Sequence, residues 1–184
     1  MAPRDVAPPF PEARNAAVLV LLHEADIGPE LLFTRRTMNL RSHRGEISFP
    51  GGRMDAGETP VAAALREAFE EVALDPSLVT VHGELDHLST VVSQSYIVPV
   101  VATVDERPPL TPHDREVDRI LWVSLAELAR PDTFREEWWG TPPLDRRVFF
   151  FELDDETIWG ATGRMVYQTL RLTHGLTGPE PAAV

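Results

Sequence analysis

The sequence predicts an α+β domain, and three observations predict it. Several short runs are rich in β-branched and apolar residues, notably 17–23, 79–85 and 96–104. One segment, 60–72, has strong helical periodicity and both start signals of a helix. These elements do not alternate regularly as strand and helix, which argues against a doubly wound parallel sheet. The length of 184 residues suits one domain with a sizeable core.

In chain order, residues 1–15 are Pro-rich and are expected to form a flexible N-terminal segment. A single domain is expected over 16–176, and residues 177–184 read as a flexible tail. Runs 17–23 and 31–36 suggest a strand pair around the turn Asp26-Ile27-Gly28-Pro29. Residues 46–49 suggest a short strand that ends at Pro50-Gly51-Gly52. Further strands are expected at 79–85, 96–104, 120–123 and 148–153, with a brief helix at 125–129 and a late one at 162–174. Pro99 cannot donate a ladder hydrogen bond, so the 96–104 strand is expected at an edge or with a bulge. Residues 107–114 carry three prolines and read as a loop.

Composition excludes whole classes of chemistry. All seventeen basic residues are Arg, and there is no Lys or Cys. A lysine Schiff base, a lysine-bearing P-loop, a thiol nucleophile and a cysteine-ligated metal are therefore excluded. A net charge of −12 argues against nucleic-acid and anionic-membrane partners. The apolar run 16–22 is too short for a membrane span and lacks a cleavage signal, so a cytoplasmic location is expected.

The helix expected at 60–72 carries a cluster of acids. Thr59 is a good N-cap and Pro60 suits the first helical position. Leu65, Ala68, Phe69 and Val72 form an apolar stripe expected to face the core. Glu67, Glu70 and Glu71 share the opposite side, where three like charges within one turn repel. With Glu58 just upstream and a Gly-Gly turn offering carbonyls, such a set suits a hard divalent cation, Mg²⁺ or Mn²⁺.

The run Gly52, Glu58 and Arg66-Glu67-Ala68-Phe69-Glu70-Glu71-Val72-Ala73-Leu74 resembles the signature box of the Nudix hydrolases. Ala68 and Ala73 depart from the usual larger aliphatic and Gly. The resemblance implies a Nudix fold, an α/β/α sandwich with a mixed sheet between helices and a loop–helix–loop metal site. It further implies hydrolysis of a nucleoside diphosphate linked to another moiety. By the same resemblance Glu67, Glu70 and Glu71 would hold the metal, joined by the Gly51 carbonyl, while Glu58 and Arg66 would orient them.

A cationic window abuts this acidic one. Residues 35–53 carry net charge +4 through Arg35, Arg36, Arg41, Arg44 and Arg53, whereas residues 55–75 carry −5. The pairing suits a polyphosphate gripped by Arg and neutralised by metal. Leu32-Phe33-Thr34-Arg35-Arg36-Thr37, then Arg41, Gly45 and Phe49-Pro50-Gly51-Gly52, is similar to the motif of the coenzyme A pyrophosphatase branch of that family. So is Ile158-Trp159-Gly160-Ala161-Thr162. Arg36 and Arg41 are the leading phosphate contacts, ahead of Arg35 and Arg44; strand alternation turns Arg35 away from Arg36.

The resemblance thus implies metal-dependent hydrolysis of coenzyme A, a small-molecule substrate, to 3′,5′-ADP and 4′-phosphopantetheine. Either Glu67 or a loop acid accepts the proton of water, and Glu116 is the loop candidate. ADP-ribose or a dinucleotide is the alternative substrate, and a non-catalytic metabolite-binding domain is the alternative class. The histidines at 43, 82, 87, 113 and 174 have no metal-ligand spacing, and Ser93-Gln94-Ser95 lacks nucleophile-elbow glycines. A homodimer is compatible with the sequence but does not follow from it.

Overall fold

Two strands running in the same direction form the centre of the main sheet. β1 (Arg14–Ala25) and β7 (Ser95–Val104) pair in parallel from Arg14 opposite Ser95 to His23 opposite Val104. Both are buried on both faces, as their nearly continuous apolar runs require. The computed structural model describes residues 12–38, 44–90, 94–141 and 145–173. Expectations for Arg41, for the histidines at 43 and 174, and for the terminal segments 1–11 and 174–184 lie outside the described residues. Arg14 and Asn15 belong to β1, so the strand reaches into the N-terminal segment delimited from sequence.

The free side of β1 is shared between two antiparallel partners. Its second half pairs with β2 (Gly28–Arg36), and its first half with β4 (Gly51–Arg53). The β1–β2 turn is Asp26-Ile27, tighter than the four-residue turn expected, because Gly28 and Pro29 already pair. β2 continues the sheet to β3 (Ile47–Ser48) and to β8 (Val117–Ser124), with a register shift between Arg35 and Arg36. Beyond β7 lie β5 (Thr80–Glu84) and β6 (Leu88–Thr90).

β7 is therefore an interior strand and not the edge strand that Pro99 suggests, while the alternative expectation, a bulge, has a counterpart in the β5–β7 register shift between Val81 and Gly83. The Pro99 carbonyl accepts from the Leu85 N–H at 3.0 Å. Leu85 lies between β5 and β6, so the missing N–H faces the gap where β7 changes partner, and no ladder bond is lost.

Helix α1 (Pro60–Val72) covers one face of the sheet, over Ala17, Leu19, Leu21, Leu32 and Val100. On the other face α2 (Leu125–Leu128) and α3 (Gly160–Thr173) pack over Val20, Leu31, Phe33 and Phe49. A second antiparallel sheet joins them, in the order β11 (Thr157–Trp159), β10 (Arg146–Glu152), β9 (Phe134–Trp139). This is the α/β/α arrangement around a mixed sheet that the family resemblance implies, with β4, β6, β9 and β11 as strands that the sequence pattern did not reveal.

α1 begins as expected: the Thr59 hydroxyl accepts from the Ala62 N–H at 3.2 Å, and Pro60 follows. Its buried face differs from the expected stripe. Ala63, Ala64, Ala68, Glu71 and Val72 are buried, whereas Phe69 is 56% exposed. Small alanines bring the helix close to β1, and that rotates Glu71 inward. Ala73 ends the helix in the left-handed region, φ 57°, which costs a residue with a Cβ about 1 kcal/mol. Ala73→Gly is expected to raise the melting temperature by about 2–4 °C; thermal unfolding followed by circular dichroism checks it.

Candidate active site

The second half of α1, strand β4 and the end of β2 meet beside the sheet and gather the charged residues. Arg66 is the hub. Its guanidinium donates to both Glu58 oxygens at 2.9 and 3.0 Å, to Glu67 at 2.9 Å, to Glu70 at 3.3 Å and to the Arg53 carbonyl at 3.0 Å. Arg66 thus bonds Glu58, Glu67 and Glu70 at once. Hydrogen bonding to Arg66 holds the Glu58 carboxyl below the usual carboxylate range and raises Arg66 in turn.

Glu71 differs from its neighbours. It is only 3% exposed, and its Oε2 accepts the Gly51 N–H at 3.2 Å. Burial pushes its carboxyl up to about 7; the Gly51 N–H and the Arg36 charge offset part of that. Burial also raises Glu67, against the pull of Arg66. Glu70 lies on the rim, its side chain 56% exposed. The three carboxylates therefore do not share one solvent-facing side, as expected from spacing. They grade from buried Glu71 through Glu67 to exposed Glu70.

Two glycines make this approach feasible. Gly51 has φ +153°, and a Cβ there would lie 2.4 Å from the Ala17 carbonyl oxygen. A Cβ on Gly52 would lie 2.5 Å from the Glu67 carboxylate. Glycine at both positions lets β4 lie against β1 and beneath the helix carboxylates. Gly51, expected to offer a carbonyl to a metal, is seen here supplying its N–H to Glu71.

The arginines separate as alternation predicts. Arg36 reaches the carboxylates, with Nη1 3.7 Å from Glu71 Oε1. Its Nε is buried with no hydrogen-bond partner among the described residues. Arg35 points elsewhere, bound to Asp118 and Glu156 at 2.7 Å each, so its place among the phosphate contacts is withdrawn. Arg44 is exposed in the turn before β3. Glu116, in the turn before β8, is near enough for its charge to raise both Glu67 and Glu71.

The donor set suits a hard divalent cation in its chemistry: three clustered carboxylates, one of them buried and costly to ionise unaided. Among the described residues, however, no three acidic or histidine side chains already converge as a metal cage. Instead the Arg66 guanidinium bonds Glu58, Glu67 and Glu70. Sequence reasoning also missed an ion pair at the far end of β2, where Arg107 grips both oxygens of buried Glu30 and His23 bonds Glu30 at 2.9 Å. The alternation of β2 places Glu30 inward, but nothing local in the sequence names Arg107 as its partner.

Comparison with known proteins matches residues 13–143 to the NUDIX domain model. The chain is 31% identical to Nudix hydrolase 3 of Caenorhabditis elegans over 172 residues, 85% of this chain and 72% of that protein. It is 34% identical to the Nudix hydrolase NudL of Escherichia coli O7:K1 over 161 residues, 83% of this chain and 79% of that one. Among solved structures it is similar to the Nudix hydrolase RenU of M. smegmatis, with TM-score 0.61 and 20% identity, covering 92% of this chain and 90% of that one. A C. elegans Ap4A hydrolase shares the fold at TM-score 0.52 and 22% identity, over 60% of this chain and 80% of that one.

Proposed function

This chain belongs to the Nudix family, and from that premise we propose that it hydrolyses the diphosphate of coenzyme A or its derivatives. The products would be 3′,5′-ADP and 4′-phosphopantetheine, or acyl-phosphopantetheine from an acyl ester. That it is a Nudix diphosphatase rests on its hydrolase relatives. One observation above all supports the finer reading: Arg36 stands 3.7 Å from Glu71, and its buried Nε has no hydrogen-bond partner among the described residues. A cation fixed there can fork onto a phosphate oxygen beside the carboxylates. Coenzyme A carries a diphosphate and a further 3′-phosphate, which suits a site that sets Arg36 beside the carboxylates.

Glu67, Glu70 and Glu71 would hold Mg²⁺ or Mn²⁺, which when bound supplies positive charge to the diphosphate and acidifies water. Glu58 and Arg66 keep the carboxylates oriented. Glu116 takes the proton of the attacking water, because it is exposed beside the cluster, whereas Glu67 is engaged by Arg66. No helix among the described residues is long and apolar enough to cross a membrane; a cytoplasmic location is part of the proposal.

The test is incubation with Mg²⁺ and a panel of coenzyme A, its disulfide, ADP-ribose, NADH and a diadenosine polyphosphate, with products identified by mass. Coenzyme A or its disulfide is expected to be cut fastest. Faster hydrolysis of ADP-ribose or a dinucleotide overturns the coenzyme A reading. Turnover of none of them favours a metabolite-binding role, against which the full carboxylate set argues.

A further inference from the structure

We propose that Thr37 is a positioning residue that holds Glu116 beside the carboxylate cluster; the inference rests on the reading of that cluster and of Glu116 as the reaction centre. Residues 105–116 form an irregular stretch between β7 and β8, and irregular segments hold a side chain in place only when their backbone is tied down. This one is tied at three places. At its start Arg107 grips Glu30. In its middle the Thr111 and His113 N–H groups donate to the Val72 and Glu71 carbonyls at 2.9 and 2.8 Å, closing the end of α1.

At its end stands Thr37. Its N–H donates to the Glu116 carbonyl at 2.9 Å, and its hydroxyl to the Arg115 carbonyl at 3.2 Å. Thr37 is 3% exposed, so the hydroxyl is desolvated and serves no packing that an isosteric Val would not serve better. The preceding residue is Arg36, whose guanidinium faces Glu71. Thr37 therefore joins Thr111 and His113 in fixing the backbone of Glu116 relative to Arg36 and Glu71.

The variants are Thr37→Val, which removes the hydroxyl and keeps the shape, and Thr37→Ser, which restores it. Thr37→Ala repeats the measurement should Val not be accommodated. With the fastest substrate of the panel, Thr37→Val is expected to lower kcat about tenfold with KM within about twofold, since small misplacements of a reacting group are costly. Thr37→Ser is expected to stay within about twofold of the native kcat. In the metal-free full chain, amide exchange at 115–117 is expected to quicken in Thr37→Val only. In a Glu116→Gln background, Thr37→Val is expected to cost less than about twofold, because there is no base left to misplace. An equal loss in that background, a native kcat in Thr37→Val, or unchanged exchange overturns the inference alone. A Glu116→Gln enzyme as fast as the native one overturns both the inference and the reading of Glu116.

Discussion

Replacing Glu70 or Glu71 with Gln is expected to lower kcat by about a thousandfold or more, while circular dichroism reports an intact fold. Each change removes a full negative charge and a hard oxygen from the carboxylate set and leaves side-chain size nearly unchanged. If the set holds the cation that neutralises the diphosphate, losing about 4 kcal/mol of that stabilisation in the transition state gives a thousandfold. The two positions bracket the site. Glu70 is exposed and touches only Arg66 among the contacts described, so its loss has little structural cost. Glu71 is buried against Gly51, so its effect combines with the local packing. Steady-state kinetics on the panel substrate, with Mg²⁺ varied, distinguishes lost affinity for the cation from lost turnover. Full activity in both variants shows that these carboxylates do not carry the reaction.

Much of this site is legible in the sequence because it is local. The cap at Thr59 and Pro60 and the helical period set α1 over Pro60–Val72 as expected. Strand alternation separates Arg36 from Arg35 correctly, since neighbours on a strand face opposite ways. Non-local features are not legible. Glu71 reads as a solvent-side acid until the N–H of Gly51, twenty residues earlier, is placed against it. Gly51-Gly52 reads as a turn, yet the same absence of Cβ atoms lets β4 form between β1 and α1. β9 escapes notice because Arg135-Glu136-Glu137 has no apolar alternation, and Phe134 supplies its main anchor to the core. Glu116 is visible as an acid in a loop, but what sets its distance to α1 is the backbone bonding of Thr37, Thr111 and His113.

The burial of Glu71 has a consequence opposite in sign to the loss of turnover expected on its replacement. In metal-free protein, kept so with a chelator, Glu71→Gln is expected to be more stable than the native chain at pH 8 and nearly equal to it at pH 4.5. The native carboxyl, raised from 4.5 to about 7 by burial, stays protonated in the folded state where the unfolded chain has already ionised. The folded state therefore binds the extra proton between those values. Stability present below about pH 4.5 is lost as pH rises towards 7, and the loss is complete above it. A displacement of that size corresponds to about 3 kcal/mol, an upper figure because Gln must also bury an amide. Gln is neutral throughout, so the difference between the two proteins isolates Glu71 from other groups titrating in the same range. Urea unfolding at pH 4.5, 6 and 8 measures it, and equal differences at all three values show that Glu71 ionises normally in the fold. Added Mg²⁺ is then expected to stabilise the native chain at pH 8 and the variant far less, since ligand that binds only the folded state raises its stability by mass action. A carboxylate that destabilises the fold until a cation arrives is what a metal ligand requires, and a packing residue would gain nothing from the charge.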